Sequence, residues 1–336
     1  MGESGGKSLI SVIIPAYNAE RTLERTVRSV MASAIPLDVL IVDDGSTDGT
    51  RELADRLLQE NADSLRGVED SLPYQNQTCL HVIHQPNSGC YQARVNALKQ
   101  IKTPYFGFVD ADDTVDPDMY ERMLAFAQEY DLDIVECDVV GGIRNDGVDE
   151  FFTSRDEIAQ KVIRPVIAEG CGCMFVWNKL YRRRNVKLEP SPIFMFEDMA
   201  LNLQLFDGVG KFGRLHEGLY HYDVNPGSSV KNFRRKNVDD LKEVIRFRKE
   251  YLPRYGIAND DPAHERWLRK NVRNMYITAA SACCSDWSTR VSNVRYLFDV
   301  AGYGRPACLQ LRILVLLIVK RAQVLVKRIC KQENWK

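Results

Sequence analysis

The sequence lacks three features that mark specialised classes of protein. Its nine cysteines include no CxxC pair, which argues against a disulfide scaffold or a zinc ribbon and predicts reduced thiols in a cytosolic protein. No window holds about 18 uninterrupted apolar residues, so we predict no membrane span. Residues 1–8 are polar and lack the basic start and long apolar stretch of a signal peptide.

The chain also lacks a strong overall charge, but its two parts differ in sign. The net charge is −1, whereas residues 1–230 carry 36 acidic and 22 basic side chains and residues 231–336 carry 10 acidic and 23 basic ones. An acidic front and a basic back suggest two tasks and an anionic partner for the back. That partner is a membrane surface, a nucleic acid or the acidic front itself.

Apolar runs alternate with helical periodicity through the first 140 residues. Strands are predicted at Leu9–Ile14, Val39–Val42, Leu80–His84, Tyr105–Val109 and Ile134–Val140, with helices between them. This alternation predicts an α/β fold with a mostly parallel sheet sandwiched by helices. We expect residues 61–79, which are polar and rich in turn formers, to be a loop or insertion.

Polar residues follow four of the predicted strands. In an open α/β sheet, ligands bind outside the carboxyl ends of the strands. The polar segments therefore converge where a site is expected; they are residues 15–18, 43–44, 87–89 and 110–113.

The segment Asp110-Ala111-Asp112-Asp113 concentrates three carboxylates at a strand end. Such carboxylates repel one another and raise each other's pKa unless a cation neutralises them, and Mg²⁺ is usually held by one or two carboxylates plus substrate phosphates. A solvated acidic turn before a helix fits the segment equally well. A second acidic turn, Asp43-Asp44, on a neighbouring strand favours a ligand site.

Arg94 and the pair Glu197-Asp198 each have one chemical and one structural interpretation. Arg94, early in the helix after the third strand, is placed either to meet a phosphate or on the surface. Glu197 and Asp198 follow the apolar run 193–196. An apolar setting raises a carboxylate's pKa toward that of a general base, and acids also favour the first turn of any helix.

Three blocks together resemble the signature of the family 2 glycosyltransferases. They are residues 11–18 (SVIIPAYN), 42–50 (VDDGSTDGT) and 108–113 (FVDADD), and residues 177–181, 196–198 and 220–222 also look like family blocks. The resemblance covers roughly residues 8–230 and implies the GT-A fold, a nucleotide-binding α/β sandwich with a metal-binding DxD motif. It implies an inverting enzyme that moves a sugar from a nucleotide diphosphate sugar, here expected to be UDP-linked, to a hydroxyl of a glycan or lipid-linked acceptor.

The resemblance also implies a role for individual residues. Asp112 is expected to hold Mg²⁺ or Mn²⁺ against the diphosphate, and Asp198 to deprotonate the acceptor hydroxyl. The nucleotide-sugar contacts are expected from Pro15, Tyr17, Asn18, Asp44 (to the base), Arg94 and Asp110 (to the ribose). Near the acceptor or donor sugar we expect Asp113, Trp177 and Glu197.

One departure from the family pattern limits this transfer. Members often carry Ala-Arg-Asn after the third strand, whereas this chain has Ala93-Arg94-Val95-Asn96, so only Arg94 is carried over.

Three other functions compete with the transferase. The first βα turn lacks GxGxxG, which argues against a dehydrogenase, and lacks the triphosphate loop of a nucleotidyltransferase. A non-catalytic nucleotide-sugar-binding protein of the same fold would keep all the acidic residues.

The back of the chain is predicted to be helical and basic. We divide the chain into a glycosyltransferase domain at 1–232, with a nucleotide-sugar half at about 8–140 and an acceptor half at about 141–232, and a helical region at 233–336. Residues 309–331 mix apolar side chains with Lys and Arg, five of them before residue 330. This pattern fits a helix on an anionic membrane or one packed on its neighbours. We expect a cytoplasmic protein with peripheral contact at the inner face of the plasma membrane, and no nucleic-acid partner.

Overall fold

The computed structural model describes residues 8–66, 78–140, 148–165, 174–184, 188–189, 191, 193, 196–223, 236–268 and 270–271. The strands are β1 (Ile10–Ala16), β2 (Leu37–Asp43), β3 (Cys79–His84), β4 (Tyr105–Phe108), β5 (Thr114–Val115), β6 (Ile134–Val139), β7 (Glu150–Phe152), β8 (Lys179–Arg182) and β9 (Phe212–His221). The helices are α1 (Leu23–Met31), α2 (Thr50–Arg66), α3 (Cys90–Leu98), α4 (Met119–Glu129), α5 (Arg155–Ile158), α6 (Glu197–Leu205) and α7 (Lys236–Tyr251). A π-helical turn (Ala159–Ile163) continues α5, and a 3₁₀ turn (Leu252–Tyr255) continues α7.

The nine strands form one sheet in the order β3-β2-β1-β4-β8-β6-β9-β5, with β7 added beside β9. The first four strands are parallel, as predicted. Beyond them β8 lies antiparallel between β4 and β6, while β6 and β9 are parallel. The predicted α/β class is confirmed, and the far half of the sheet is more mixed than the sequence pattern indicated.

Alternation along the central strands divides the apolar side chains between two cores. On β1, Ile13 faces one core, whereas Val12 and Ile14 face the other. Helices α3, α6 and α7 cover the first face, and α1, α2 and α4 cover the second. This is the sandwich that runs of buried strands between amphipathic helices predict.

Helix α2 is longer than its sequence pattern suggested. The helix predicted to end near residue 58 continues to Arg66, so the loop prediction for 61–79 is wrong for residues 61–66. Asp63 and Ser64 are exposed on this helix, whereas Leu53 and Leu57 on its inner side are buried. Asn61 also accepts a hydrogen bond from the Leu80 N–H at 3.0 Å, which ties the helix to β3. Residues 67–77 lie outside the described part.

The start of the basic region packs against the sheet domain. Leu241, Val244 and Phe247 on α7 belong to the same core as α6. Arg248 is buried, donates to His264 Nδ1 and lies 3.8 Å above the ring of Trp267. No helix in the described part of the chain is long and apolar enough to cross a membrane. The predicted basic helix at 309–331 lies outside the described residues.

Candidate active site

The loops after β1 and β2 hold each other at the carboxyl edge of the sheet. Asn18 has a left-handed backbone (φ 50°), and its side-chain oxygen accepts from the Thr47 N–H at 2.8 Å. The Asn18 N–H in turn donates to Ser46 Oγ at 3.1 Å. Pro15 is the penultimate residue of β1, and Tyr17, which follows the strand directly, is 51% exposed. An exposed ring beside two joined loops can pack against a planar ligand.

Asp44 is the anchor of the loop that follows β3. Its carboxylate is buried and accepts hydrogen bonds from the Ser88 N–H (2.9 Å), the Gly89 N–H (2.7 Å) and Gln85 Nε2 (2.7 Å). A buried carboxylate needs such donors because its desolvation is costly. The sequence suggested a contact to a nucleotide base, and the structure gives this residue a loop-holding task as well.

Arg94 joins two acidic segments that are far apart in sequence. The guanidinium is buried on α3 and donates to Asp110 Oδ1 at 2.6 Å and to Asp198 Oδ1 at 2.5 Å. It also lies over the ring of Phe108, 5.7 Å from the centroid. Of its two sequence-based interpretations, the surface arginine is wrong, because the side chain points inward to two carboxylates.

The three acids after β4 have different surroundings. Asp113 is fully buried and accepts from the Tyr220 hydroxyl at 2.7 Å and from the Asp223 N–H at 2.9 Å. Burial raises its pKa to about 7, although both hydrogen bonds oppose the shift. Asp110 instead points to Arg94, and its N–H donates to the Tyr220 hydroxyl at 3.2 Å.

Asp112 is half-buried, as is Asp110. Its backbone carbonyl accepts from Arg25 on α1 at 2.7 Å, and the carbonyl of Asp113 accepts from Thr26 at 2.7 Å. In the described part of the chain, no group of three or more His, Cys, Asp or Glu side chains is arranged to hold a metal. Proteins usually hold Mg²⁺ through one or two carboxylates, with water and substrate phosphates as the remaining ligands, so a metal at Asp112 stays a prediction.

Glu197 and Asp198 begin helix α6, directly after a left-handed residue, Phe196 (φ 62°). Burial raises the pKa of both carboxyl groups. The neighbouring carboxylates add to this effect, and the Arg94 charge opposes it. The acids therefore occupy a first helical turn and have raised pKa values, and the general-base role stays a prediction.

Trp177 lies inside a stack of aromatic rings beside the acidic turn. Its ring is parallel to those of Phe175 (centroids 4.7 Å apart), Tyr220 (4.3 Å) and Tyr222 (5.8 Å). Burial, together with the charges of the acids at 110–113, raises the pKa of Tyr222. Trp177 thus approaches the acids only through Tyr220.

Tyr220 is the site residue that the sequence analysis did not single out. It joins the aromatic stack to Asp110 and Asp113 through one hydroxyl. The block 220–222 is part of the family resemblance, but nothing in its spacing shows that the end of β9 reaches the acidic turn after β4. Arg25 was missed for the same reason, because α1 meets the acidic turn only in the folded chain.

The sequence pattern of glycosyl transferase family 2 matches residues 11–189, which is more than half of the chain. The chain belongs to glycosyl transferase family 2. This match contains the turns around Asp44, Arg94 and Asp112. The family consists of glycosyltransferases, so the dehydrogenase alternative falls away.

Known proteins show the same relationship. The family 2 chain is 28% identical over 265 residues to EpsJ, an uncharacterized glycosyltransferase of Bacillus subtilis, covering 74% of this chain and 71% of the relative. Its fold matches S. aureus TarS 1–349 in complex with UDP-GlcNAc (TM-score 0.50, 17% identity, 88% and 93% of the two chains). It also matches the mannosyltransferase PcManGT of Pyrobaculum calidifontis in complex with GDP-Man and Mn²⁺ (TM-score 0.50, 15% identity, 88% and 86%). The fold is GT-A, as the sequence resemblance implied.

Proposed function

We propose that this family 2 chain transfers a sugar from a UDP-sugar to an acceptor hydroxyl with inversion at the anomeric carbon. The observation that carries the proposal is the Arg94 bridge, which brings Asp198 on α6 to the ribose-side acid Asp110. A nucleotide-binding edge and a candidate base are thereby fixed in one site. Glycan and lipid-linked hydroxyls are the acceptor classes we propose, as the family resemblance implies.

In this proposal Asp198 is the general base. Its Oδ1 receives the Arg94 bond, and we assign the acceptor proton to Oδ2. As the acceptor oxygen forms its bond to the anomeric carbon from the opposite face, the bond to the diphosphate breaks and its electron pair leaves with UDP. The raised pKa of Asp198 favours uptake of the proton.

The nucleotide is held by the loops at the edge of the parallel strands. Tyr17 and Asn18, with Pro15 behind them, form one side for the base, and Asp44 keeps the 85–89 loop beside it. Asp110 faces the ribose. We place Asp113, Trp177 and Glu197 around the two sugars.

Asp112 would hold Mg²⁺ or Mn²⁺, and PcManGT was crystallised with Mn²⁺. Its half-buried carboxylate fits an ion shared with substrate phosphates better than a closed protein cage. When bound, the ion neutralises charge that develops on the diphosphate leaving group.

Transfer is tested by incubating the protein with Mn²⁺, a set of UDP-sugars and a set of methyl glycosides, and reading the new anomeric proton by NMR. Inversion predicts a product of opposite anomeric configuration to the donor. Asp198→Asn is expected to lower transfer by at least ~100-fold because general-base catalysis contributes about that much. Glu197→Gln is the matched change on the adjacent acid. Retained configuration, or full activity in Asp198→Asn, would contradict the mechanism.

The basic region is proposed to give peripheral contact with an anionic membrane on the cytoplasmic side. The charge of residues 231–336, which include 23 basic and 10 acidic side chains, supports this proposal. Co-sedimentation of the full chain with vesicles containing 30% anionic lipid, at low and high salt, tests it. Binding at low salt that high salt abolishes supports the contact, and absence of binding at both salt concentrations refutes it.

A further inference from the structure

Two exposed aromatic rings flank the buried part of the aromatic stack. Phe175 is 48% exposed and Tyr222 is 51% exposed, whereas Trp177 between them is 3% exposed. Large exposed rings are usually scattered singly over a protein surface. Here two of them share one support, and their planes lie within 18° of the Trp177 plane.

Phe175 is fixed close to the proposed base. Its backbone carbonyl accepts from Asn202 Nδ2 at 3.2 Å and from Lys179 Nζ at 2.7 Å. Asn202 follows Asp198 by four residues on α6, so the two side chains lie on the same side of the helix, one turn apart. The backbone carbonyl of Phe175 is therefore bonded to α6 one helical turn beyond Asp198, and its ring stacks on Trp177.

Tyr222 is fixed close to the acidic turn on the other side. It follows Tyr220 by two residues at the end of β9, and the Tyr220 hydroxyl donates to Asp113. The next residue, Asp223, donates its N–H to Asp113 and pairs with Arg25. The two exposed rings thus share one stack, which is linked to the acidic turn through Tyr220 and Asp223 and to α6 through the carbonyl of Phe175.

The chemistry of this surface selects a particular ligand. Aromatic faces carry partial negative charge and attract the polarised C–H groups on the flat face of a pyranose ring. The surrounding carboxylates accept hydrogen bonds from hydroxyl groups and repel phosphate or carboxylate substituents. Of the residues that the structure describes here, Arg94 is paired with Asp110 and Asp198, and Lys179 with Glu136 at 2.7 Å.

We propose that Phe175 and Tyr222 form the acceptor platform and that the acceptor presents a neutral pyranose there. The inference rests on the proposed function and narrows its acceptor from any hydroxyl to that of an uncharged sugar ring. It assigns both rings to sugar binding and leaves proton transfer to Asp198.

Saturation-transfer NMR tests the platform directly. The wild-type protein is saturated with UDP and Mn²⁺ and mixed with the methyl β-glycosides of glucose, galactose and N-acetylglucosamine, with methyl β-glucuronide as the anionic probe. We expect transfer to the ring protons of at least one neutral glycoside and not to the glucuronide. Phe175→Ala and Tyr222→Ala should each raise its Kd by about fivefold, because one aromatic contact contributes about 1 kcal/mol.

Two further variants separate the platform from loss of folding. Phe151 is 51% exposed and stacks on Tyr130 at 4.9 Å, so Phe151→Ala removes an equally exposed ring from another surface and should leave glycoside binding unchanged. Phe175→Tyr keeps the ring and should keep binding.

Three results would overturn the inference: no neutral glycoside binds, the glucuronide binds equally well, or Phe175→Ala binds like the wild type. A UDP titration of the wild type distinguishes the causes. If UDP binds and these results appear, the platform alone is wrong. If UDP does not bind, the proposed function fails with it.

Discussion

Arg94 on α3 donates to Asp198 on α6 across 2.5 Å, although 104 positions separate the two residues in the chain. The same guanidinium holds Asp110 at the end of β4. A planar, always charged side chain can bridge two carboxylates with fixed geometry, which a lysine ammonium cannot. The bridge sets the position of the proposed base relative to the nucleotide edge.

Replacing Arg94 should therefore affect both stability and transfer. Arg94→Met leaves two carboxylates without their cation and is expected to lower the free energy of unfolding by about 3 kcal/mol or more. Arg94→Lys restores a charge but not the fork, and a displaced Asp198 should reduce transfer by about 100-fold. Urea unfolding and the transfer assay measure these effects.

The matched control for Arg94 is Arg122→Gln. Arg122 pairs with Glu217 at 2.6 Å on the surface, and such exposed pairs contribute less than about 1 kcal/mol. If Arg94→Lys transferred sugar at the wild-type rate, the bridge would have no role in positioning the base.

Removing the hydroxyl of Tyr220 should destabilise the acidic turn while leaving the aromatic stack in place. Tyr220→Phe deprives the buried Asp113 of a donor, at an expected cost of about 1–3 kcal/mol in the free energy of unfolding. The pKa of Asp113 should rise above its present value of about 7, because this hydrogen bond lowers it. Tyr130→Phe, at a more exposed ring, should change stability by less than about 0.5 kcal/mol. Equal stability of Tyr220→Phe and wild type would contradict the assignment.

His84 should make stability depend on pH. Its ring lies between Asp43 and Asp55, 3.0 Å from each. Burial would lower its pKa, but the hydrogen bonds to Asp55 and Asp43 prevail and raise it above 6.5. The stabilisation is therefore complete below the unfolded-state pKa and is lost as pH rises through the higher folded-state pKa.

His84→Gln should accordingly lower the unfolding free energy more at pH 5.5 than at pH 8.5. Thermal unfolding of both proteins across this range measures the difference. His81→Gln, at an exposed histidine of the same strand, controls for loss of an imidazole from β3. A difference that stays constant with pH would show that the paired imidazole does not titrate as described.

Gly45 should tolerate no side chain. Its φ is +69°, and a Cβ there would lie 2.6 Å from the Asn87 backbone nitrogen. Gly256 has a similar φ of +70° but no atom within 4 Å of the corresponding position. Gly256→Ala is expected to cost about 1–2 kcal/mol from the left-handed backbone alone.

Gly45→Ala should cost more than Gly256→Ala and should also weaken UDP binding, because the loop at 85–89 must move away from Asp44. Calorimetric titration of UDP and urea unfolding of the two variants separate the two effects. Equal losses in both variants would mean that backbone strain, and not the close approach of the loops, is the reason for the glycine.

The parallel half of the fold could be predicted from the sequence because the signals for these strands are local. Buried strands such as β1 and β2 are continuous apolar runs, and the acids at 110–113 follow such a run directly. Helix α2 was underestimated since its last turns are polar, and polarity resembles a loop until the helical period is followed. The antiparallel insertion of β8 depends on a pairing between distant segments, which no local pattern records.

The site was partly predictable for the same reason. Acidic turns at strand ends indicated where a ligand belongs, but no spacing indicates that Arg94 reaches Asp198 or that Tyr220 reaches Asp113. These contacts join elements that meet only when the sheet forms. The family resemblance implied the roles of these residues, whereas the hydrogen bonds that hold them in position are seen only in the structure.

The central claim, a metal-assisted nucleotide-sugar site at Asp112, is tested most directly by calorimetric titration of UDP with and without Mn²⁺. We expect UDP to bind the wild type in a Mn²⁺-dependent manner, and we expect Asp112→Asn to lose that dependence. Equal UDP affinity with and without Mn²⁺, or unchanged Mn²⁺-dependent binding in Asp112→Asn, would contradict it.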